Sequence, residues 1–372
     1  MSLSDILSRH GSIELHCLHD AATGLRAFIA IDDTRLGPAV GGARLHAYAS
    51  EDEAIHDVVR LARGMTAKAA LAGLSHGGGK AVLWGDAKRI ADRAAYMRAF
   101  GGFVDVLGGR YLTCEDVGIS IADIDVIHEV TPHCVGYSQD KGSSGDPSPF
   151  TALGVRRGIE AVAEVVLGRS DLAGIHVAIQ GVGAVGFHLA EELHALGCRL
   201  TVADIDAERA RRAADELGAA VASVDDIAGI ACDIYAPCAL GGAINDSTVG
   251  RLACRAVAGG ANNQLATPEM GKILAARDIF YAPDYAINAG GLINVASEWK
   301  GYDPVAARAK TMRIRETIAD IAYRSRDSGR RPEEIADRMV ADILARAGSQ
   351  PLVSTSSILA RPAASRARDT AV

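Results

Sequence analysis

The sequence predicts a two-domain α/β protein whose second half is a doubly wound parallel sheet. Three observations predict it. Short apolar runs alternate with helix-period segments along most of the 372 residues. A stretch rich in Gly, Ser, Asp and Pro, from Gln139 to Pro149, divides the chain. Beyond it, strand-length apolar runs recur at 176–180, 200–203, 233–236, 256–258 and 279–282, separated by helical or turn-rich sequence. Strands that alternate with helices pair in parallel, and the helices cover both faces of the sheet.

The elements justify this in order. Ile13-Glu14-Leu15, the run from Leu25 to Ile31, and Arg44-Leu45-His46 read as short strands, with 20–24 as a hairpin loop. Ser50 with Glu53 has the capping-box pattern, and Ile55, Val58, Val59 and Ala62 share one face of the helix that follows. Alternation continues to about Glu129, and a helical pattern covers 150–166. Two helices are expected to close the fold, one opened by Asp303-Pro304 and one by Pro332. The resulting division is 1–140 for an N-terminal α/β domain and 141–326 for the doubly wound one, with a cleft between them. Helical sequence at about 327–350 is expected to pack back on the first domain. Residues 351–372, which include Arg361, Arg366 and Arg368, are expected to form a flexible tail.

Composition excludes several classes of function. A net charge of -7 argues against a broad grip on nucleic acid or an anionic membrane. No apolar run approaches the roughly 18 residues of a membrane span, and Met1 to Asp5 lacks the basic and apolar regions of a secretory signal. The 7 cysteines fit neither a disulfide framework nor a paired zinc site, so reduced thiols in the cytoplasm are expected. The 11 histidines are scattered without an HExxH, and no metal site is expected.

Gly181-Val182-Gly183-Ala184-Val185-Gly186 is a GxGxxG placed after the strand at 176–180 and before an amphipathic helix. In that setting Gly181 allows the tight turn, Gly183 lets backbone approach a pyrophosphate, and Gly186 permits close helix–strand packing. The helix N-terminus presents N–H groups to the anion. Asp204 ends the next strand, where a carboxylate accepts hydrogen bonds from the adenosine ribose of a dinucleotide. The same carboxylate repels a 2′-phosphate, and Ile205 and Asp206 supply no arginine to bind one, so NAD is favoured over NADP. The second domain is thus expected to be a Rossmann domain.

Lys68 and Lys80, the second preceded by Gly77-Gly78-Gly79, form the densest signal upstream. A phosphate-binding P-loop fails here, because Gly73 is one residue too far from Gly79 and Ala81 replaces the magnesium-binding Ser or Thr. Two readings stand: cations converging on a carboxylate substrate, or solvated surface lysines.

Several segments in order carry a resemblance: PAVGGARL (38–45), GMTAKAALAGLSHGGGKAVLWGD (64–86), TCEDVG (113–118), GSSGDPSPFTALGV (142–155), QGVGAVG (180–186), DIYAPCALGGAIN (233–245), AGGANNQL (258–265) and YAPDYAINAGGLINVA (281–296). The chain resembles the leucine, phenylalanine and valine dehydrogenases of the amino-acid dehydrogenase family from roughly Leu25 to Gly348. The resemblance implies NAD-dependent, reversible oxidative deamination of an apolar L-amino acid to its 2-oxo acid and ammonia. It implies that Lys68 binds the substrate carboxylate, Lys80 polarises the carbonyl and activates water, and Asp116 carries the amino-group proton. Gly41 and Gly42 would let substrate approach backbone. Thr151, Asn262 or Asn263, and Asn288 would hold nicotinamide and substrate. A homo-oligomer is also implied.

Glutamate dehydrogenases carry a lysine just before the Gly-Gly pair, where this chain has Val40, so an acidic substrate is disfavoured. By the same resemblance Val40, Cys114, Leu292 and Val295 would line the side-chain pocket. Cys114 stands where leucine dehydrogenases usually have Ala and phenylalanine dehydrogenases often Gly, and His76 replaces a small or apolar residue. A branched aliphatic substrate such as leucine or valine is favoured, with phenylalanine as the alternative. A non-catalytic nucleotide sensor on this fold would lack Lys80 or Asp116. A 2-hydroxy-acid dehydrogenase would rely on a catalytic histidine with an arginine clamp.

Overall fold

The computed structural model describes residues 13–348; the tail expected at 351–372 lies outside the described residues. The first sheet begins with a hairpin of β1 (Glu14–Asp20) and β2 (Leu25–Asp33). Its turn closes where the Thr23 backbone N–H donates to Asp20 Oδ2 at 2.9 Å and Gly24 adopts φ of 72°. β3 (Ala39–His46), β4 (Gly77–Trp84) and β5 (Tyr111–Cys114) complete the sheet in the order β1-β2-β4-β3-β5.

This sheet is mixed, and the hairpin expected at 20–24 forms its antiparallel edge. The hairpin fixes β1 against β2, and β2 meets β4 antiparallel; β3, β4 and β5 are parallel. The connection between β3 and β4 is the long helix α1 (Glu51–Leu71), and such a crossover makes the strands it joins parallel. Ser50 caps α1 by accepting the Glu53 N–H at 3.2 Å, while the Glu53 carboxylate reaches back to the N–H of Ala49 at 2.8 Å. The reciprocal capping-box bond therefore lands one residue earlier than expected. Ile55, Val58, Val59 and Ala62 bury with Phe28, Ala30 and Val82 on one face of the sheet. Helices α2 (Arg93–Val106) and α3 (Ile121–His128) cover the other, where Phe100, Val104, Ile124 and Ile127 meet Leu25, Leu83 and Tyr111.

The second unit opens with α4 (Ser148–Val162), which runs on as a π-type turn, 163–167, and ends at Gly168 with φ of 71°. The sheet follows: β6 (His176–Gln180), α5 (Ala184–Ala195), β7 (Arg199–Ala203), α6 (Ala207–Leu217), β8 (Ala220–Val221), β9 (Ile234–Pro237), β10 (Ala256–Val257), α7 (Pro268–Ala276) and β11 (Phe280–Tyr281). All pairings are parallel, in the order β8-β7-β6-β9-β10-β11. That is the doubly wound dinucleotide order, with its switch point beside β6. Ligands bind at that point, outside the carboxyl ends of the strands.

After α8 (Asp284–Ile287) and α9 (Gly290–Ala296), three helices rather than two close the described residues: α10 (Pro304–Met312), α11 (Ile314–Ser328) and α12 (Pro332–Ala347). The extra break falls at Arg313, which has neither Gly nor Pro beside it. Gly154 lets α4 sit close to this layer, since a Cβ there would lie 2.6 Å from Ile314 Cδ1. The last helix packs on both α1 and β11.

Candidate active site

Lys80 sits on β4, in the middle of the first sheet, because the three glycines before it let three other segments crowd in. A Cβ on Gly77 would collide with the Asp33 carbonyl, one on Gly78 with the Thr66 backbone of α1, and one on Gly79 would lie 2.8 Å from the Tyr111 ring. The strand brings Lys80 to 5% exposure, with Nζ 2.7 Å from Asp116 Oδ2. Asp116 follows the end of β5. It can lie against β3 because Gly42 has no side chain: a Cβ there would be 2.9 Å from Asp116 Cβ. Gly41 likewise makes room for the Gly79 carbonyl, so the room left by both glycines is taken by protein. Arg44, two residues along β3 from Gly42, donates from Nε to the same Asp116 Oδ2 at 3.1 Å. Burial alone would raise the Asp116 pKa, but Lys80 and Arg44 outweigh it and hold the carboxyl at about 2.

Lys68, in the last turn of α1, reaches across to the second unit. Its Nζ donates to Asn262 Oδ1 at 2.8 Å, and Asn288 Nδ2 donates to the same oxygen at 2.8 Å. Burial of the ammonium pushes the Lys68 pKa down to about 8, against the attraction of Asp284. Asn288 is 4% exposed, and its Oδ1 has no hydrogen-bond partner among the described residues. A buried acceptor without a partner is rare and points to a ligand that supplies one. Asn263, with φ of 51°, donates its N–H to Asp284 Oδ2 at 2.6 Å. Thr151 stands beside Gly291, where a Cβ would be 2.5 Å from Thr151 Oγ1. A cleft of about 750 Å³ separates Arg44, Asp57 and Asp116 on one wall from Leu240, Gly241 and Asn262 on the other.

Beside these polar groups, Val40, Cys114, Leu292 and Val295 belong to one buried apolar cluster. Gly136, with φ of 76°, lies between two of them, since a Cβ there would be 3.4 Å from Val295 Cγ1 and 3.9 Å from Cys114 Cβ. Burial pushes the Cys114 thiol up to about 12 despite Lys80, so it is a neutral apolar wall.

The glycine loop after β6 has the shape of an anion cradle. Gly181 has φ of 91° and a Cβ would lie 2.7 Å from Ala239 Cβ; on Gly186 it would strike the Gly181 carbonyl. Gly183 faces open space, with only Arg209 Nη1 near, at 3.5 Å. Buried Val182 donates its N–H to Asp204 Oδ2 at 2.8 Å, and Asp204 Oδ1 accepts from the Asp206 N–H at 2.9 Å. Asp204 therefore fastens the loop to the end of β7 and also borders a cavity of about 330 Å³ with Ile205 and Val224. The open Gly183, the strand order and the unpartnered Asn288 oxygen all fit a bound dinucleotide.

Two residues were missed in the sequence. Arg44 lies within PAVGGARL, and a period of two already puts it on the face of Gly42. Glu298 carries no local signal. Its carboxylate accepts the Gly136 N–H at 3.0 Å, and the Ser143 hydroxyl and Ser144 N–H at 2.9 Å each. Among the described residues no group of three or more His, Cys, Asp and Glu has metal-ligating geometry, and no helix is long and apolar enough to cross a membrane.

Comparison with known proteins places this geometry. Residues 11–133 match the family model described as Glu/Leu/Phe/Val dehydrogenase, dimerisation domain, and residues 201–320 match that described as Glutamate/Leucine/Phenylalanine/Valine dehydrogenase. A leucine dehydrogenase of Geobacillus stearothermophilus is 50% identical over 83% of this chain and 84% of its own length. A valine dehydrogenase of Streptomyces coelicolor is 46% identical over 89% and 92%. Among solved structures, the L-tryptophan dehydrogenase of Nostoc punctiforme superposes with a TM-score of 0.82 at 37% identity, covering 94% of this chain and 100% of that one.

Proposed function

The chain belongs to the Glu/Leu/Phe/Val dehydrogenase family, whose members reversibly deaminate amino acids by oxidation, and from that premise we propose that it is an NAD-dependent dehydrogenase of branched apolar L-amino acids such as leucine and valine. The observation that carries the substrate class is the apolar cluster beside Lys80. Val40 is fully buried there with Cys114, Leu292 and Val295, and nothing among them pairs with a second carboxylate. Burying one against them costs several kcal/mol. Asp204 supports NAD, because its carboxylate repels a 2′-phosphate and Ile205, beside it, is 93% exposed and offers no cation.

In this reading Lys68 donates to the substrate carboxylate and Asn262, already bonded to it, orients the ammonium. The unpartnered Asn288 oxygen and Thr151 would hold the dinucleotide, which when bound would accept the hydride from Cα. Lys80, buried and therefore shielded from bulk water, takes a proton from the water that attacks the resulting carbon. Asp116, 2.7 Å from Lys80, moves the proton to the departing nitrogen, which leaves as ammonia. Residues 1–140 form the substrate domain and 141–326 the dinucleotide domain, with 327–348 packed back across both. The protein works as a homo-oligomer in the cytoplasm.

The test is NADH formation across the common amino acids, a few 2-hydroxy acids and both cofactors. Leucine or valine is expected to exceed glutamate by more than about 100-fold in kcat/KM, and NAD to exceed NADP. Faster turnover of glutamate than of leucine would sink the substrate assignment; equal use of NADP would sink the cofactor assignment.

A further inference from the structure

We propose that Arg44 is the positioning residue for Asp116: its guanidinium, braced by Asp57, anchors the Asp116 carboxylate beside Lys80 throughout turnover. The inference rests on the reading of Asp116 as the proton carrier.

The geometry is a chain of bonds running from the buried lysine to the surface. Asp116 Oδ2 accepts from Lys80 Nζ at 2.7 Å and from Arg44 Nε at 3.1 Å. The other edge of the same guanidinium donates from Nη1 to Asp57 Oδ2 at 3.1 Å. Asp57 belongs to α1 and is itself held from two sides, by the Tyr48 hydroxyl at 2.6 Å and Arg60 Nη2 at 2.7 Å. The Arg44 side chain is only 19% exposed, so its stem and both ends are fixed. A planar guanidinium gripped at both edges has no rotamer freedom left to lose, which a lysine in its place would not achieve.

The chemistry explains why a second cation is needed. Lys80 cannot be a constant anchor, because a group that takes a proton from water changes charge during the cycle. In the part of the cycle when Lys80 is neutral, its hold on Asp116 falls to an ordinary hydrogen bond. Asp116 follows β5 on a short loop that turns at Gly118, with φ of 80°, and beyond the two cations its carboxylate has the neutral Val117 N–H of that loop. Arginine stays charged through every protonation state of its neighbours. Arg44 therefore keeps the carboxylate in register with the nitrogen it serves when Lys80 lets go. A bare structural strut between β3 and α1 is the competing account, and it asks nothing of Asp116.

The experiment compares Arg44→Met, Arg44→Lys, Asp57→Asn and Asp116→Asn in the full-length enzyme. Each is measured for kcat and KM with leucine, the solvent deuterium isotope effect on kcat, NADH affinity by fluorescence titration, and thermal midpoint. Arg44→Met is expected to lower kcat by about 100-fold, within the range of a general acid–base contribution, with KM and NADH affinity within about threefold. Its solvent isotope effect is expected to rise as proton transfer becomes limiting. Arg44→Lys should recover about tenfold of the loss, and Asp57→Asn, which leaves the arginine unbraced, should reproduce the isotope effect with a smaller fall in kcat. A kcat within about threefold of the parent, or equal losses in kcat, NADH affinity and thermal midpoint with an unchanged isotope effect, would overturn the proposal. If Arg44→Met fails to fold, Arg44→Lys and Asp57→Asn carry the same two criteria. An active Asp116→Asn would instead overturn the reading of Asp116 itself, and the Arg44 proposal with it.

Discussion

Lys68 and Lys80 differ in what surrounds them, although both stand among small residues in the sequence. Lys80 faces a carboxylate at 2.7 Å, whereas Lys68 faces the neutral oxygen of Asn262 at 2.8 Å. Burial lowers the Lys68 pKa to about 8, so its ammonium is present below that pH and lost as pH rises through it. If Lys68 grips the substrate carboxylate, the KM for a 2-oxo acid in the reductive direction should be flat below about pH 8 and climb by up to tenfold per pH unit above it. Lys68→Arg, charged at any pH, should flatten that rise even if it binds less well. A wild-type KM constant to well above pH 8 would show that Lys68 does not hold the carboxylate. The two lysines and Asp116 were legible because each sits in a short motif. Arg44 was legible only as part of a quoted segment, since its partners Asp57 and Asp116 lie on α1 and on the loop after β5.

At the scale of elements, strands were easier to read than their pairing. The runs at 176–180 and 200–203 coincide with β6 and β7 because apolar side chains and flanking turns mark them locally. The hairpin at Gly24 is marked by its turn residues, whereas the antiparallel pairing of β2 with β4 joins strands distant in the chain, which periodicity does not encode. The break at Arg313 was hidden because the sequence on either side stays helix-favourable; Ile314, where α11 begins, packs against Gly154 of α4. Glycines on β4 give a sharper test. In Gly78→Ala the added methyl would meet the Thr66 backbone, which cannot rotate away as a side chain would. Overpacking of this kind typically costs about 1–3 kcal/mol, and the shift should appear in the urea midpoint together with loss of activity. An unchanged midpoint would mean that α1 and β4 are less closely packed than described.

Among the described residues the two sheets share one apolar cluster, and specific polar ties add to it. Glu298 gathers Gly136, Ser143 and Ser144 from the connection between the sheets onto the segment after α9. Glu298→Gln keeps the size but turns an NH₂ towards donors, so a buried donor loses its acceptor at about 1–3 kcal/mol. The expected outcome is a lower thermal midpoint with α1 and β4 retaining their hydrogen-exchange protection; protection lost equally everywhere would contradict a tie confined to the connection. Sequence reading marked this stretch as a loop from its Gly, Ser, Asp and Pro content, and the acceptor that orders it lies 162 residues from Gly136. The last described helix, α12, adds a second tie, where Arg35 Nη1 donates to the Leu344 carbonyl at 3.3 Å and the Tyr285 hydroxyl to Asp337 at 2.7 Å. The third tie is the shared oxygen of Asn262, one acceptor with the donors Lys68 and Asn288. With Lys68 as the proposed carboxylate donor, the same ammonium serves Asn262 and the substrate through different N–H groups, so substrate binding and this contact between the two units are thermodynamically linked. Linkage is reciprocal: whatever factor a bound substrate imposes on the Lys68–Asn262 contact, that contact imposes on the affinity for the substrate.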